Sequence, residues 1–321
     1  MNSKISVLVP IYNAAKWLPA FVDALSRQRL DDAEFVFLDD CSTDNSMDVL
    51  DRELNRCALI KFSRLLRHNV NKGVSEARQT LLEAATGEYI IFADPDDTVD
   101  DGMYSGLMDT AMQTGADLVW EDFYEGDSGR RRQAYSGDAK GMISELLRGR
   151  MHGALWNKLI KREFIQTANA KFLQGRIGLC EDLDFICQVL VANPKIAYHD
   201  GCHYNYRTVA DSATHGLSED SFKSLMSVEG HIRHILDMSE FSTDFEYWRR
   251  GNRLAAFLSR SVGNKFFYEY IGDIKNLSGL PTNSILKCLF WMAARGWRSL
   301  ARLVYLIAVG IVGWEFSWMR V

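Results

Sequence analysis

Residues 89–100 read YIIFADPDDTVD, and the reading of this stretch decides the fold. The run Tyr89 to Ala93 is apolar, and Asp94, Asp96 and Asp97 follow at once, with Asp100 and Asp101 behind. Carboxylates that dense repel unless a cation arrives or water screens them. A continuous apolar run cut off by turn residues is the pattern of a strand buried on both faces. Upstream, the same pattern recurs in ISVLVP (residues 5–10) and FVFL (residues 35–38), with a short third strand over Ser63 to Arg67. Between these runs lie helical segments. Trp17, Leu18, Phe21, Val22 and Leu25 recur at helical spacing, Ser42 to Leu54 opens with capping residues, and Gly73 to Thr86 is ended by Gly87. This β-α-β-α-β-α-β order predicts an α/β fold with a parallel sheet and helices on both faces. Ligands of such sheets bind beyond the carboxyl ends of the strands. There the sequence places three polar loops, PIYN after strand one, DDCS after strand two and DPDD after strand four.

Farther along, residues 103–114 read as a helix and 117–123 as a strand. Residues 125–137, with Arg130, Arg131 and Arg132, read as a solvated hairpin. Residues 156–164 and 182–191 read as short helical segments, and 195–206 as a strand. From residue 218 to about 271 the period is helical, and the stripe Phe222, Leu225, Val228, Ile232 and Ile235 is a core face. The 321 residues hold one large domain or two modest ones. A net charge of −5 gives no global attraction for nucleic acid, so none is expected as a partner. The 6 cysteines include no C-x-x-C pair, which points away from a zinc ribbon and toward reduced, cytoplasmic thiols. The N-terminal apolar stretch is too short for a secretory signal and is interrupted by Pro10.

Residues 281–321 differ from the rest. Lys287, Arg295, Arg298, Arg302 and Arg320 face a single acid, Glu315, and are interleaved with Leu289, Phe290, Trp291 and Trp297. The apolar run Leu303 to Trp314 falls short of the ~20 residues that span a bilayer. Bases mixed with Trp, Phe and Leu suit a helix lying in the membrane interface. A helix packed on the core, or a contact in a homo-oligomer, is the alternative.

Common site motifs fail. There is no G-x-G-x-x-G after strand one, no G-x-x-x-x-G-K-[ST], no H-E-x-x-H and no G-x-S-x-G. A calcium loop read from Asp94 has Val99 where the turn glycine belongs and Ser105 where the bidentate glutamate belongs. What remains is Asp94-Pro95-Asp96 at a strand end. Two carboxylates that close suit a hard divalent cation, Mg or Mn, with room left for phosphate oxygens. Otherwise this is an acid-rich turn, with Asp97 or Asp100 capping the next helix.

Taken together, ISVLVPIYNAAKWLPAFVDALSRQ, FVFLDDCSTDNSMDVL, NKGVSEARQTLLEAATGEYIIFADPDD and GLCEDLDF resemble the inverting family 2 glycosyltransferases of the GT-A fold, of the bacterial polysaccharide and lipopolysaccharide type. The resemblance is close over residues 5–110 and partial to about residue 215. It implies a mostly parallel mixed sheet in a catalytic domain over residues 1–215, then a helical extension over 216–280 and the basic segment 281–321. The implied reaction moves a hexose or N-acetylhexosamine from a UDP-sugar to a hydroxyl of a glycan or lipid-linked glycan. The implied place is the inner face of the cytoplasmic membrane, with residues 281–321 as the peripheral contact.

By the same resemblance, Pro10 and Tyr12 hold the nucleobase, and Asp40, with Asp39, reads the uracil edge. Asp39 also suits a turn before Ser42. Lys72, Gly73 and Arg78 lie beside the nucleotide. Asp94 serves the ribose and metal side, and Asp96 binds the metal directly. The acceptor hydroxyl needs a base. Asp182 matches the family's base, with Glu181 and Asp184 as fallbacks. Trp156 and Lys158 match an acceptor-side element whose other reading is a core Trp with a surface Lys. Arg207 and Ser212 match the loop over the diphosphate, where a planar guanidinium suits phosphate. His203 or His215 is open as a further metal ligand. Two rival readings are a nucleotidyltransferase, which wants a glycine-rich loop where PIYNAAKW has none, and a non-catalytic sugar-nucleotide-binding or glycan-binding subunit, which would not need Asp182.

Overall fold

The structure, a computed structural model, describes residues 4–28, 32–207, 218–259 and 261–271, and farther on 288–289, 291–292, 295–301 and 303–305. Strands β1 (Ile5–Ile11), β2 (Ala33–Asp39), β3 (Ser63–Arg67) and β4 (Tyr89–Phe92) alternate with helices α1 (Leu18–Ser26), α2 (Ser46–Arg56) and α3 (Val74–Ala84). The four strands are parallel in the order β3-β2-β1-β4, with Ile5 opposite both Ala33 and Tyr89. β1, β2 and β4 are buried almost end to end, which is why they read as unbroken apolar runs. The approach of α3 to β1 requires Gly87. A Cβ there would lie 2.6 Å from the Ser6 nitrogen, and the Gly87 N–H donates to Ser6 Oγ at 2.8 Å.

The sheet continues with β5 (Thr98–Val99), α4 (Met103–Thr114), β6 (Leu118–Glu125), β7 (Arg130–Arg131), α5 (Ala139–Leu147), β8 (Lys158–Lys161), α6 (Arg162–Thr167), α7 (Glu181–Val191) and β9 (Ile196–Tyr206). The full order is β3-β2-β1-β4-β8-β6-β9-β5, with β7 paired to β6. β8 runs antiparallel to both β4 and β6, so the sheet is mixed. This corrects the expected helix over 156–164. Leu159 and Ile160 are buried between two strands, and the helix begins only at Arg162. Helix α2 likewise starts at Ser46, not Ser42, because Ser42 to Asp44 are drawn into the loop contacts described below.

The described chain falls into two compact units, residues 1–146 with 150–209, and residues 147–149 with 210–321. In the second, α8 (Glu219–Ile235) opens with a capping box at Ser218, and the Asp237 carboxylate caps α9 (Met238–Leu258) by accepting from the Ser239 N–H. Phe222, Leu225, Val228 and Ile232 are buried, as the helical period predicts, while Ile235 is half-buried.

Residues at the C-terminal side divide by face. Trp291, Trp297, Leu300 and Leu303 are exposed, whereas Leu289, Arg298 and Ala301 are buried. Arg298 is therefore not one of the surface bases that the sequence suggested. Its guanidinium donates to the Val262 carbonyl (2.8 Å) and to the Ala256 carbonyl in the last turn of α9 (2.7 Å), where helix carbonyls lack partners of their own. No described helix is long and apolar enough to cross a membrane. Ser212, His215, Lys287, Arg302, Glu315 and Arg320 lie outside the described residues, as does most of the run Leu303 to Trp314.

Candidate active site

The chemistry gathers at the carboxyl edge of β1, β2 and β4, where α3 and α7 begin. Arg78, about one turn into α3, is buried, and its guanidinium joins segments a hundred residues apart. Nη1 donates to Glu181 at 2.6 Å and to Asp182, and Nη2 donates to Asp94 at 3.1 Å. Its charge is thus shared among three carboxylates. Those carboxylates keep it charged despite complete burial. Glu181 and Asp182 form the first turn of α7, where the unpaired N–H groups favour negative charge. Burial pushes both carboxyls up, Asp182 to about 7, against the pull of Arg78. Asp184 faces elsewhere and accepts from Gln188 Nε2 at 2.8 Å.

The β2 end is a braced turn. Asp39 is fully buried, and its Oδ1 accepts from the Ser42 N–H at 2.8 Å, which is the turn role. Asp40 is buried too. Its carboxylate accepts from the backbone N–H of Lys72 (2.9 Å) and Gly73 (2.7 Å), and pairs with His68 Nδ1 at 2.7 Å. Gly73 then starts α3 at φ +94°, a backbone angle that L side chains rarely adopt. Asp40 thus fixes the 71–73 loop, and its oxygens are committed before any base arrives.

Pro10 sits near the end of β1, and Tyr12 just beyond it is half exposed. Beside Tyr12, Asn13 adopts φ +51° and its Oδ1 accepts from the Thr43 N–H at 2.8 Å. Ser42 Oγ accepts from the Asn13 N–H, and Ser46 Oγ from the Ala14 N–H. These contacts lock the Tyr12 loop to the turn after β2. The sequence reading missed Asn13, Ser46 and His68. An asparagine just beyond a strand, a residue type that tolerates positive φ, was the signal available for the first.

The acids after β4 divide sharply. Asp97 is buried, with Oδ1 accepting from the Arg207 N–H (2.7 Å) and Oδ2 from the Tyr204 hydroxyl (2.7 Å). It therefore does not cap the next helix. Nor does Asp100, which accepts from Asn205 Nδ2, and α4 has Gly102 at its N-cap and no side-chain cap. Asp94 and Asp96 remain half-buried at the edge. Asp96 forms no ion pair among the described residues. Burial and the neighbouring Asp94 raise its proton affinity, and the more distant Arg207 and Arg78 charges only partly offset this. Two half-buried like charges, of which only Asp94 has a cationic partner in Arg78, fit a hard divalent cation, and Asp94 and Asp96 are the residues that would hold it. The Arg207 guanidinium lies 5.9 Å from the Trp17 ring, on the same edge.

Lys158 corrects the surface-lysine reading. It is buried, and Nζ donates to the carbonyls of His152 (2.8 Å) and Ala154 (2.6 Å) and to Asn157 Oδ1 (2.8 Å). Burial lowers it to about 7, partly countered by Asp182. Trp156 is also buried, stacked on Tyr204 at 4.1 Å with Phe123 against its edge. Both belong to the packed support of the site, since every donor of Lys158 is already used. His203 Nδ1 pairs with Glu121 at 2.9 Å.

Asp94, Asp96 and Asp182 thus gather with the Tyr12 loop at the carboxyl edge of a mixed sheet, where ligands of such sheets bind. The chain belongs to glycosyl transferase family 2, whose family model matches residues 6–169. It is similar to the uncharacterized glycosyltransferase EpsJ of Bacillus subtilis, at 31% identity over 65% of this chain and 62% of that protein. It also resembles the cholesterol galactosyltransferase of Borreliella burgdorferi, at 27% identity over 86% of this chain and 84% of that one. The chain thus spans less than two thirds of EpsJ. Among solved structures, TarS residues 1–349 of S. aureus, in complex with UDP-GlcNAc, superposes with a TM-score of 0.68 at 17% identity, covering 95% of this chain and 92% of that one. The architecture is the GT-A fold expected from the sequence.

Proposed function

We propose that this chain is a metal-assisted inverting glycosyltransferase, moving a hexose or N-acetylhexosamine from a UDP-sugar to a hydroxyl of a glycan or lipid-linked glycan. The observation that carries this reading is Asp182. It is a carboxylate on a helix N-terminus, raised to about 7, tied through Arg78 to Asp94 at the donor edge. A base poised near working pH combines a useful ionised fraction with proton affinity. In the proposed step the acceptor oxygen forms its bond to the anomeric carbon as its proton passes to Asp182 Oδ. The bond from that carbon to the UDP oxygen breaks on the opposite face. Asp94 and Asp96 would hold Mn or Mg, which would supply positive charge to offset that on the leaving diphosphate.

Tyr12 offers its exposed ring to the uracil. Because Asp40 is spent on the loop, the uracil edge meets the groups that Asp40 and Asp39 position, including Lys72 and Gly73. Arg207 reaches the diphosphate, its backbone anchored by Asp97. Trp156 and Lys158 shape the acceptor side from beneath. The exposed Trp291, Trp297, Leu300 and Leu303, with Arg295 lying 3.6 Å over Trp291, support peripheral contact with the inner face of a cytoplasmic membrane.

The test is calorimetry with UDP, with and without Mn, beside a hydrolysis screen of several UDP-sugars. UDP binding that strengthens with Mn in the native chain and not in Asp96→Ala supports the assignment. UDP affinity indifferent to both removes the metal pair.

A further inference from the structure

A second cluster, between β6 and β9, has the composition of a transition-metal site. Glu121 on β6 and His199 and His203 on β9 bring one carboxylate oxygen and two ring nitrogens within 4.8 Å of one another. The cause is a local irregularity in the β6–β9 pairing. Trp120 faces Tyr198 and Asp122 faces Cys202, so Glu121 alone stands opposite three residues, His199 to Gly201. Such a bulge re-aims side chains that a regular ladder would keep apart.

Glu121 is fully buried. Its partners are the backbone N–H of His203 (2.9 Å) and the Nδ1 of the same ring (2.9 Å), with no Lys or Arg ion pair among the described residues. A buried carboxylate held only by an imidazole and one amide lacks a permanent counter-charge.

The outer contacts of His199 are those of a metal ligand. Thr110 Oγ1 donates to the Gly106 carbonyl at 3.1 Å, so its remaining capacity is to accept, and it lies 2.9 Å from His199 Nδ1. The proton therefore sits on Nδ1, and Nε2 turns its lone pair toward the cluster, next to the lone pairs of Glu121. Two glycines make the convergence possible. A Cβ at position 201 would lie 2.5 Å from Glu121 Oε2 and 2.8 Å from His199 Nε2, and one at 106 would lie 2.7 Å from His199 Nε2.

We infer that Glu121, His199 and His203 form a site for a zinc-class divalent ion, distinct in place and chemistry from the Asp94–Asp96 pair. Two imidazoles and one carboxylate select Zn, Co or Ni over Mg and leave a fourth position for water. The half-exposed His203 ring gives the ion access from solvent. The ion clamps β6, β9 and, through Thr110, α4. The clamped strand carries the His203 carbonyl, which accepts from the Asp100 N–H at 2.7 Å, and the Tyr204 hydroxyl that holds Asp97.

The experiment strips the full chain with chelator, then titrates Co(II) and follows its visible d–d absorption, with Zn as competitor. The expected result is one tetrahedral Co(II) per chain, displaced by Zn. It should be lost in His199→Gln and in His203→Gln, retained in Asp96→Asn, and weakened roughly tenfold to a hundredfold in Thr110→Val. Circular dichroism checks that each variant is folded, and Thr110→Val, which leaves all three ligands in place, reports even if a histidine variant does not fold. Absence of the Co(II) spectrum in the native chain, or a spectrum unchanged in Thr110→Val and in whichever histidine variant folds, overturns the site.

Discussion

Replacing Arg78 with Lys keeps a positive charge but removes the planar fork that reaches Asp94, Glu181 and Asp182 together. A single ammonium on an unbranched stem cannot bridge all three, so at least one buried carboxylate loses its partner. Breaking such a buried pair costs about 3 kcal/mol where the remaining charge stays ionised. The carboxyl relieves part of that by holding its proton, so the cost depends on pH. In the native protein, burial already raises Asp182 from the ordinary carboxylate range to about 7. A folded value above the unfolded one means the folded state binds the extra proton between these values. Asp182's contribution is then fully present below pH ~4 and is lost as pH rises through about 7, by up to ~1.4 kcal/mol per pH unit. In Arg78→Lys the folded value rises further and the loss extends above 7. Urea unfolding followed by Trp fluorescence should therefore find the variant destabilised by roughly 1 kcal/mol at pH 5 and roughly 3 kcal/mol at pH 8. A penalty equal at both pH values, or below about 0.5 kcal/mol at pH 8, would refute the idea that Arg78 neutralises this cluster.

Asp97→Ala leaves the Tyr204 hydroxyl and the Arg207 N–H without their shared acceptor, and should cost about 2–4 kcal/mol in thermal or urea unfolding. Asp96→Ala should leave the unfolding midpoint near native and abolish turnover in a donor-hydrolysis assay; the reverse pattern would exchange the two roles. Tyr12→Ala removes an exposed ring that packs little in the free protein, so stability should hold while UDP affinity falls about tenfold by calorimetry. Unchanged affinity would move the base elsewhere.

The first four strands were legible because both faces of a parallel strand are buried and only apolar residues satisfy that. The loop ends were legible for the opposite reason, as abrupt polar breaks in those runs. Asp94 and Asp182 could be singled out, but not that Arg78 joins them, because its partners lie 16 and 104 positions away and no local period carries such a contact. The strand in residues 156–164 was hidden by Lys158, whose charge suggests a surface and whose three carbonyl-type acceptors come from the folded loop. Asp97 read as a cap because a cap is the local use of an acid after a strand, whereas its partners arrive with β9. The Glu121–His199–His203 cluster depends on a pairing irregularity, which alternation along one strand cannot reveal.

The most direct measurement is the pH profile of sugar transfer, native against Asp182→Asn, with UDP binding measured in parallel. The account predicts that native kcat/KM rises tenfold per pH unit and levels near pH 7, where Asp182 loses its proton. Asp182→Asn should bind UDP almost as the native chain does and transfer nothing at any pH. Transfer retained by Asp182→Asn, with the same pH profile, would contradict the assignment of Asp182 as the base.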